Sequence, residues 1–203
     1  MKALLDSLPQ MRLFAEALAG HLRAGDLLIL SGNLGAGKTT FTQSLGKCLG
    51  VQGRITSPTF IIAREHPSAG DGPTLVHVDA YRLSDAAELE DLDLDSELEE
   101  SITVVEWGAG LAETLSSDYL SISITPRSQT EPSLAEAAPE SADDAEAAPA
   151  SADIAEFAYD DEPAADEGRI VELSSHGRSW TERLPRMVDS IRAAGLHCDE
   201  GNA

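Results

Sequence analysis

The stretch Leu27–Gly50 reads LLILSGNLGAGKTTFTQSLGKCLG, and its reading decides the fold. Its first residues, Leu27 to Leu30, form an apolar run with the character of a buried strand, and from Lys38 to Leu49 the pattern turns helical, with Gly50 as a stop signal. Between them, Gly32, Gly37, Lys38 and Thr39 satisfy the spacing G-x-x-x-x-G-K-[ST] of a phosphate-binding loop. The chemistry explains that spacing. Gly32, Gly35 and Gly37 can adopt positive φ and carry no obstructing side chain, so successive backbone N–H groups can converge on phosphate oxygens. Lys38 then reaches the β- and γ-phosphates, Thr39 offers a hydroxyl to Mg²⁺, and the start of the helix favours negative charge.

Upstream, Leu8 to Leu22 spaces Leu8, Met11, Phe14, Ala15, Leu18, Ala19 and Leu22 by threes and fours, an amphipathic helix that opens near Ser7 and Pro9 and runs down toward Gly25. Downstream comes ITSPTFIIAREH, Ile55 to His66, in which Pro58 forces Ser57 toward extended backbone and Thr59 to Ala63 read as a strand. A loop at this place is where nucleotide-dependent proteins keep a γ-phosphate sensor, and Thr59 is the candidate; by itself TSPTF also reads as an ordinary proline turn. Thr74 to Val78 predict a further core strand ending in Asp79, and Ile102 to Val105 another ending in Glu106 and Trp107. Ligands of open α/β sheets bind beyond the carboxyl ends of the strands, so two strand-end acids that follow a phosphate loop point to a Mg²⁺ and water site. The alternative for Asp79 is a turn or cap residue, for Trp107 edge packing, and for His77 a structural role inside its strand.

Ser84 to Glu100 hold nine acids and no base, with Leu89, Leu92, Leu94 and Leu98 interleaved, as one or two short helices with a solvated face would. Tyr119 to Thr125 alternate apolar and polar, and Arg169 to Leu173 read as the antiparallel partner of a hairpin. A helix is expected from Thr181 to Ala194, with Leu184, Met187, Val188 and Ile191 on one face. The expected fold is therefore an α/β, P-loop NTPase-like three-layer sandwich with a mostly parallel central sheet and an antiparallel C-terminal hairpin. Its single domain takes residues 1–127 and 168–194. Residues 195–203 read as a flexible tail.

Net charge is −22 over 203 residues, but Ser128 to Glu167 supply −13 of it with no Lys or Arg, leaving −9 for the rest. That 128–167 segment, with 13 Ala and four Pro, has the composition of a disordered insertion within the hairpin. The acidic balance argues against broad contact with DNA or RNA by the chain's own surface. Cys48 and Cys198 lack the spacing of a metal or redox pair, and no 18-residue apolar run or leader pattern occurs, so a cytoplasmic location without membrane contact is expected.

In order, GNLGAGKTTF, ITSPTF, HVDAYRL, VVEWG and the late SSHGRSW resemble the TsaE (YjeE) family of bacterial ATPases. The resemblance covers about residues 18 to 125 and more weakly 168 to 185. It implies an Mg-dependent ATPase, stimulated by its partners, that supports a TsaD–TsaB type complex in making tRNA N6-threonylcarbamoyladenosine and meets tRNA only through that complex. Carried over by motif, ATP falls on Gly32, Asn33, Leu34, Gly35, Ala36, Gly37, Lys38, Thr39 and Thr40, with Thr59 as the switch and Trp107 beside the nucleotide. Mg²⁺ falls on Thr39, Asp79 and Glu106, and the catalytic set is Lys38, Asp79 and Glu106, with Tyr81 and Arg82 adjacent. Family members begin with a short strand and a Thr near the adenine; this chain reads as shorter there, with Pro9 and Gln10 instead. The rival enzyme reading is a small-molecule kinase, which needs an Arg-rich lid that Thr125 to Arg169 do not provide. No N-K-x-D sequence occurs to read guanine. The rival of another kind is a nucleotide-gated binding module with negligible turnover.

Overall fold

A computed structural model of the chain describes residues 1–58, 62–92, 94, 98–129 and 168–199. Its strands are β1 (Lys2–Leu5), β2 (Asp26–Ser31), β3 (Ala63–His66), β4 (Thr74–Asp79), β5 (Ser101–Glu106), β6 (Tyr119–Pro126), β7 (Arg169–His176) and β8 (His197–Asp199). They form one sheet in the order β3-β4-β5-β2-β6-β7-β1-β8. The central pairs β4–β5, β5–β2 and β2–β6 are parallel, and antiparallel pairs flank them on both sides. The helices are α1 (Leu8–Ala19), α2 (Lys38–Cys48), α3 (Ala86–Glu90) and α4 (Gly177–Ala193).

β2 shows why the sheet needs cover on both sides. Its Leu28 and Leu30 join a core with Phe14 of α1, Phe41 and Leu45 of α2, and Trp180 and Met187 of α4. Leu27 and Ile29, pointing the other way, join Val76, Val78, Leu89 and Val105. A strand buried on both faces reads as an unbroken apolar run, and each such side chain contributes about 1.5–3 kcal/mol on burial. The three-layer α/β architecture expected from the sequence is the one found.

Four boundaries differ from the sequence reading. A strand does precede α1, since Lys2–Leu5 pairs with Arg169–Glu172 of β7. The supposed tail from residue 195 instead forms β8 over His197–Asp199, on the other edge of β1. The strand expected over Thr59 to Ala63 begins at Ala63; Thr59, Phe60 and Ile61 lie outside the described residues. α4 starts four residues before Thr181, because its cap comes from elsewhere in the chain: Asp118 accepts from the N–H groups of Ser179 and Trp180 at 3.1 and 3.2 Å. Of the segment expected as an insertion over 128–167, Ser128 and Gln129 lie in a short 3₁₀ turn, Arg127–Gln129, and 130–167 lie outside the described residues. Among the described residues no helix is long and apolar enough to cross a membrane.

Candidate functional site

β2 ends at Ser31 and hands the chain to the loop from Gly32 to Gly37, after which α2 begins at Lys38. The tightest approach is at Gly32, where an added Cβ would stand 2.2 Å from the carbonyl oxygen of Ile124 on β6. No other residue fits beside that neighbouring strand. At the other end Gly37 has φ 106°, a left-handed backbone that lets the loop turn into the helix. Gly35 shares the positive φ, at 76°, as expected.

Lys38 folds back over this loop. Its Nζ donates to the carbonyls of Gly32 at 2.7 Å and Asn33 at 3.1 Å, and stands 3.5 Å from the centre of the Trp107 ring. Burial pushes its pKa below the usual lysine value, against the opposing pull of Glu106 and Asp79. Trp107 reaches the lysine through a left-handed backbone, φ 61°, rare for a bulky residue. Its N–H is tied to Leu30 O at 2.9 Å and its ring lies 5.1 Å from that of the exposed Tyr81. Strain of this kind persists only where the surroundings over-determine it.

The parallel register places Asp79 of β4 beside Glu106 of β5, which in turn lies beside Leu30 of β2. Glu106 is buried and held from three sides. Thr39 Oγ1 donates to its Oε2 at 2.8 Å, Thr42 Oγ1 approaches Oε1 at 3.4 Å, and His77 Nε2 lies 2.7 Å from Oε1. A carboxylate can only accept, so His77 carries its proton on Nε2. Nδ1 of that ring is buried with no partner among the described residues. His77 thus joins the site; the sequence reading had placed it in the strand interior alone. The signal was present, since residues two apart on a strand share a face, and Asp79 is two on from His77.

Asp79 takes the cap role that the sequence also allowed, at a strand end beside Glu106. Its Oδ1 accepts from the Tyr81 N–H at 3.1 Å, capping a short 3₁₀ turn, and its Oδ2 accepts from Ser57 Oγ at 2.8 Å. The Ile62 carbonyl receives the Asp79 N–H at 2.8 Å, with Ile62 itself at φ 70°. Ser57 and Ile62 are therefore both fastened to Asp79. Thr59, the candidate sensor between them, lies outside the described residues. Leu34 forms an exposed loop tip, and Thr40 sits on the first turn of α2.

The donor set suits a hard cation: one hydroxyl from Thr39 and two carboxylates, all oxygen. No group of three or more His, Cys, Asp or Glu among the described residues could cage a metal. The set fits Mg²⁺ that completes its shell with phosphate oxygens and water rather than an all-protein metal centre.

The profile of the threonylcarbamoyl adenosine biosynthesis protein TsaE matches residues 5–134. This chain belongs to the TsaE family. A tRNA threonylcarbamoyladenosine biosynthesis protein TsaE from Streptomyces coelicolor is 63% identical over 115 residues, covering 56% of this chain and 78% of that protein. A TsaE from Bacillus subtilis is 39% identical over 117 residues, covering 57% and 71%. The crystal structure of Bacillus subtilis YdiB matches with a TM-score of 0.60 at 24% identity, over 93% of this chain and 94% of that one, a likeness of fold. The TsaE profile stops before β7 and α4, so contacts made by those elements lie beyond what it describes.

Proposed function

We propose that this TsaE-family chain binds ATP with Mg²⁺ at the loop Gly32–Thr40 and hydrolyses it in support of a TsaD–TsaB type complex that forms threonylcarbamoyladenosine in tRNA. The observation that carries this reading is the convergence of Lys38, Thr39, Asp79 and Glu106 at the carboxyl ends of three adjacent parallel strands.

In this reading the loop N–H groups and Lys38 bind the β- and γ-phosphates, and Lys38 leaves the Gly32 and Asn33 carbonyls to do so. Thr39, with Asp79 and Glu106, would hold Mg²⁺, which when bound neutralises charge developing on the phosphate oxygens. Glu106, pinned by His77, Thr39 and Thr42, orients a water on the γ-phosphorus and takes its proton as the bond to the bridging oxygen breaks and ADP leaves. Trp107 and Tyr81 cover the mouth of the site and limit access of other water. Family membership supports the tRNA-modification role; the partner complex and a cytoplasmic location belong to this proposal.

The test is ATP turnover measured for the chain alone and with a purified TsaD–TsaB pair, alongside tRNA modification with and without the chain. Stimulated turnover and dependent modification are expected. A negligible rate unchanged by the partners, with modification still dependent on the chain, would replace hydrolysis with nucleotide-gated docking.

A further inference from the structure

The glycine-rich loop is also gripped from the side opposite the acids. Asn33 Nδ2 donates to Gln129 Oε1 at 2.8 Å, and Arg169 Nε donates to the Ala36 carbonyl at 3.0 Å. Gln129 follows β6 and Arg169 opens β7, so these residues stand on the two sides of the neck from which the acidic insertion departs. That neck is itself closed. Pro126 lies opposite Arg169 in the antiparallel register, and the Arg127 N–H donates to Gly168 O at 2.8 Å. The Arg169 side chain runs along Gly37, whose would-be Cβ lies 3.7 Å from Nε, and Ile124 of the same hairpin closes against Gly32.

Peptide geometry gives the Arg169 contact a direction. In a planar trans peptide the C=O of one residue and the N–H of the next point opposite ways. Fixing the Ala36 carbonyl toward the guanidinium therefore aims the Gly37 N–H away from Arg169. A guanidinium does this better than an ammonium, because its planar donors are fixed in orientation.

We propose that Arg169 is a positioning residue of the phosphate loop, holding the Ala36–Gly37 peptide in the phosphate-binding orientation and making the neck of the β6–β7 hairpin part of the nucleotide site. The inference deepens the ATP-binding reading and rests on it for its ligand. It gives the chain a mechanical route between the base of its insertion and the bound nucleotide, carried by Arg169 on one side and by the Asn33–Gln129 bond on the other. Neither Arg169 nor Gln129 belongs to the motifs the sequence places at the site.

The experiment compares wild type, Arg169→Gln and Arg169→Lys in the full chain by three readouts: ATP affinity, kcat against KM, and amide hydrogen exchange of residues 33–38 without nucleotide. A loop that holds its binding conformer only a tenth of the time binds about tenfold more weakly. Arg169→Gln is expected to weaken ATP binding on that order, raise KM more than it lowers kcat, and speed exchange in the loop while β6 and β7 stay protected. Arg169→Lys should behave like the Gln variant. Unchanged loop exchange, faster exchange throughout β6 and β7, or full recovery of affinity by Lys would each overturn the proposal; the last would reduce Arg169 to a charge. Should wild type bind no ATP, the proposed function falls, and the exchange measurement still decides the role of Arg169.

Discussion

At Glu106 one carboxylate receives three side chains, and each contact predicts a different loss. Glu106→Gln should leave ATP affinity near wild type while turnover falls about a hundredfold or more, the usual range for losing a general base. Turnover that survives the change, measured by phosphate release, would make Glu106 structural. His77→Ala removes the contact that orients Oε1, so kcat should fall by a smaller factor with KM little changed. Lys38 brings a pH dependence whose sign is fixed. Its pKa is lowered by burial, so the folded chain binds this proton less tightly than the unfolded one, and stability rises with pH between that lowered value and about 10.5. ATP needs the charged lysine, so affinity should decline with rising pH over the same alkaline window. Lys38→Ala should remove that slope and cost roughly 1.5–3 kcal/mol of binding, both readable by titration calorimetry across pH.

Among the elements, α4 depends most on remote help. Asp118 takes two of the N–H groups that no residue in the helix can satisfy, and the bidentate ion pair from Arg183 to buried Asp26, at 2.8 and 2.5 Å, fastens the helix to β2. Asp118→Ala should cost about 0.5–2 kcal/mol, seen as a lower Tm with ATP affinity unchanged. A loss of affinity equal to the loss of stability would mean that α4 supports the loop directly. This dependence also explains what was legible. α1, α2 and the strands β2, β4 and β5 were readable because their periodicity and stop signals are local. The start of α4 was not, because its cap is 59 residues upstream of Gly177 in sequence. β1 and β8 were missed because each is only a few residues long and becomes a strand by pairing, β1 on β7 and β8 on β1. Lys38, Thr39, Asp79 and Glu106 were legible as motif positions and His77 shares a strand face with Asp79, whereas the His77–Glu106 and Arg169–Ala36 contacts enter through register and side-chain reach that spacing does not encode.

At the scale of the molecule, the charge is divided unevenly: the 128–167 segment carries more than half of it, and the remaining residues are moderately acidic. Because Gln129 bonds to Asn33 and Gly168 closes the neck, the insertion is separable only inside those residues. Removing residues 131–166 and joining the ends with a short Gly/Ser turn should leave Tm and ATP turnover close to wild type, since loop length changes closure entropy only slowly. A large fall in Tm would mean that the segment packs on the body. Cutting back to include Gln129 should weaken nucleotide binding more than the shorter deletion does.

The chain has two tryptophans, and their surroundings differ enough to make one of them an optical probe. Trp180 is buried with the Arg183 guanidinium 3.9 Å from its ring centre, whereas Trp107 has the Lys38 ammonium at 3.5 Å. If Lys38 swings to phosphate, the cation leaves the indole and its emission must change. In a Trp180→Phe background, ATP should shift the fluorescence of Trp107 saturably, and adenosine, which has no phosphate to draw the lysine, should not. The contact that parks the lysine would then report, photon by photon, when the loop has found its ligand.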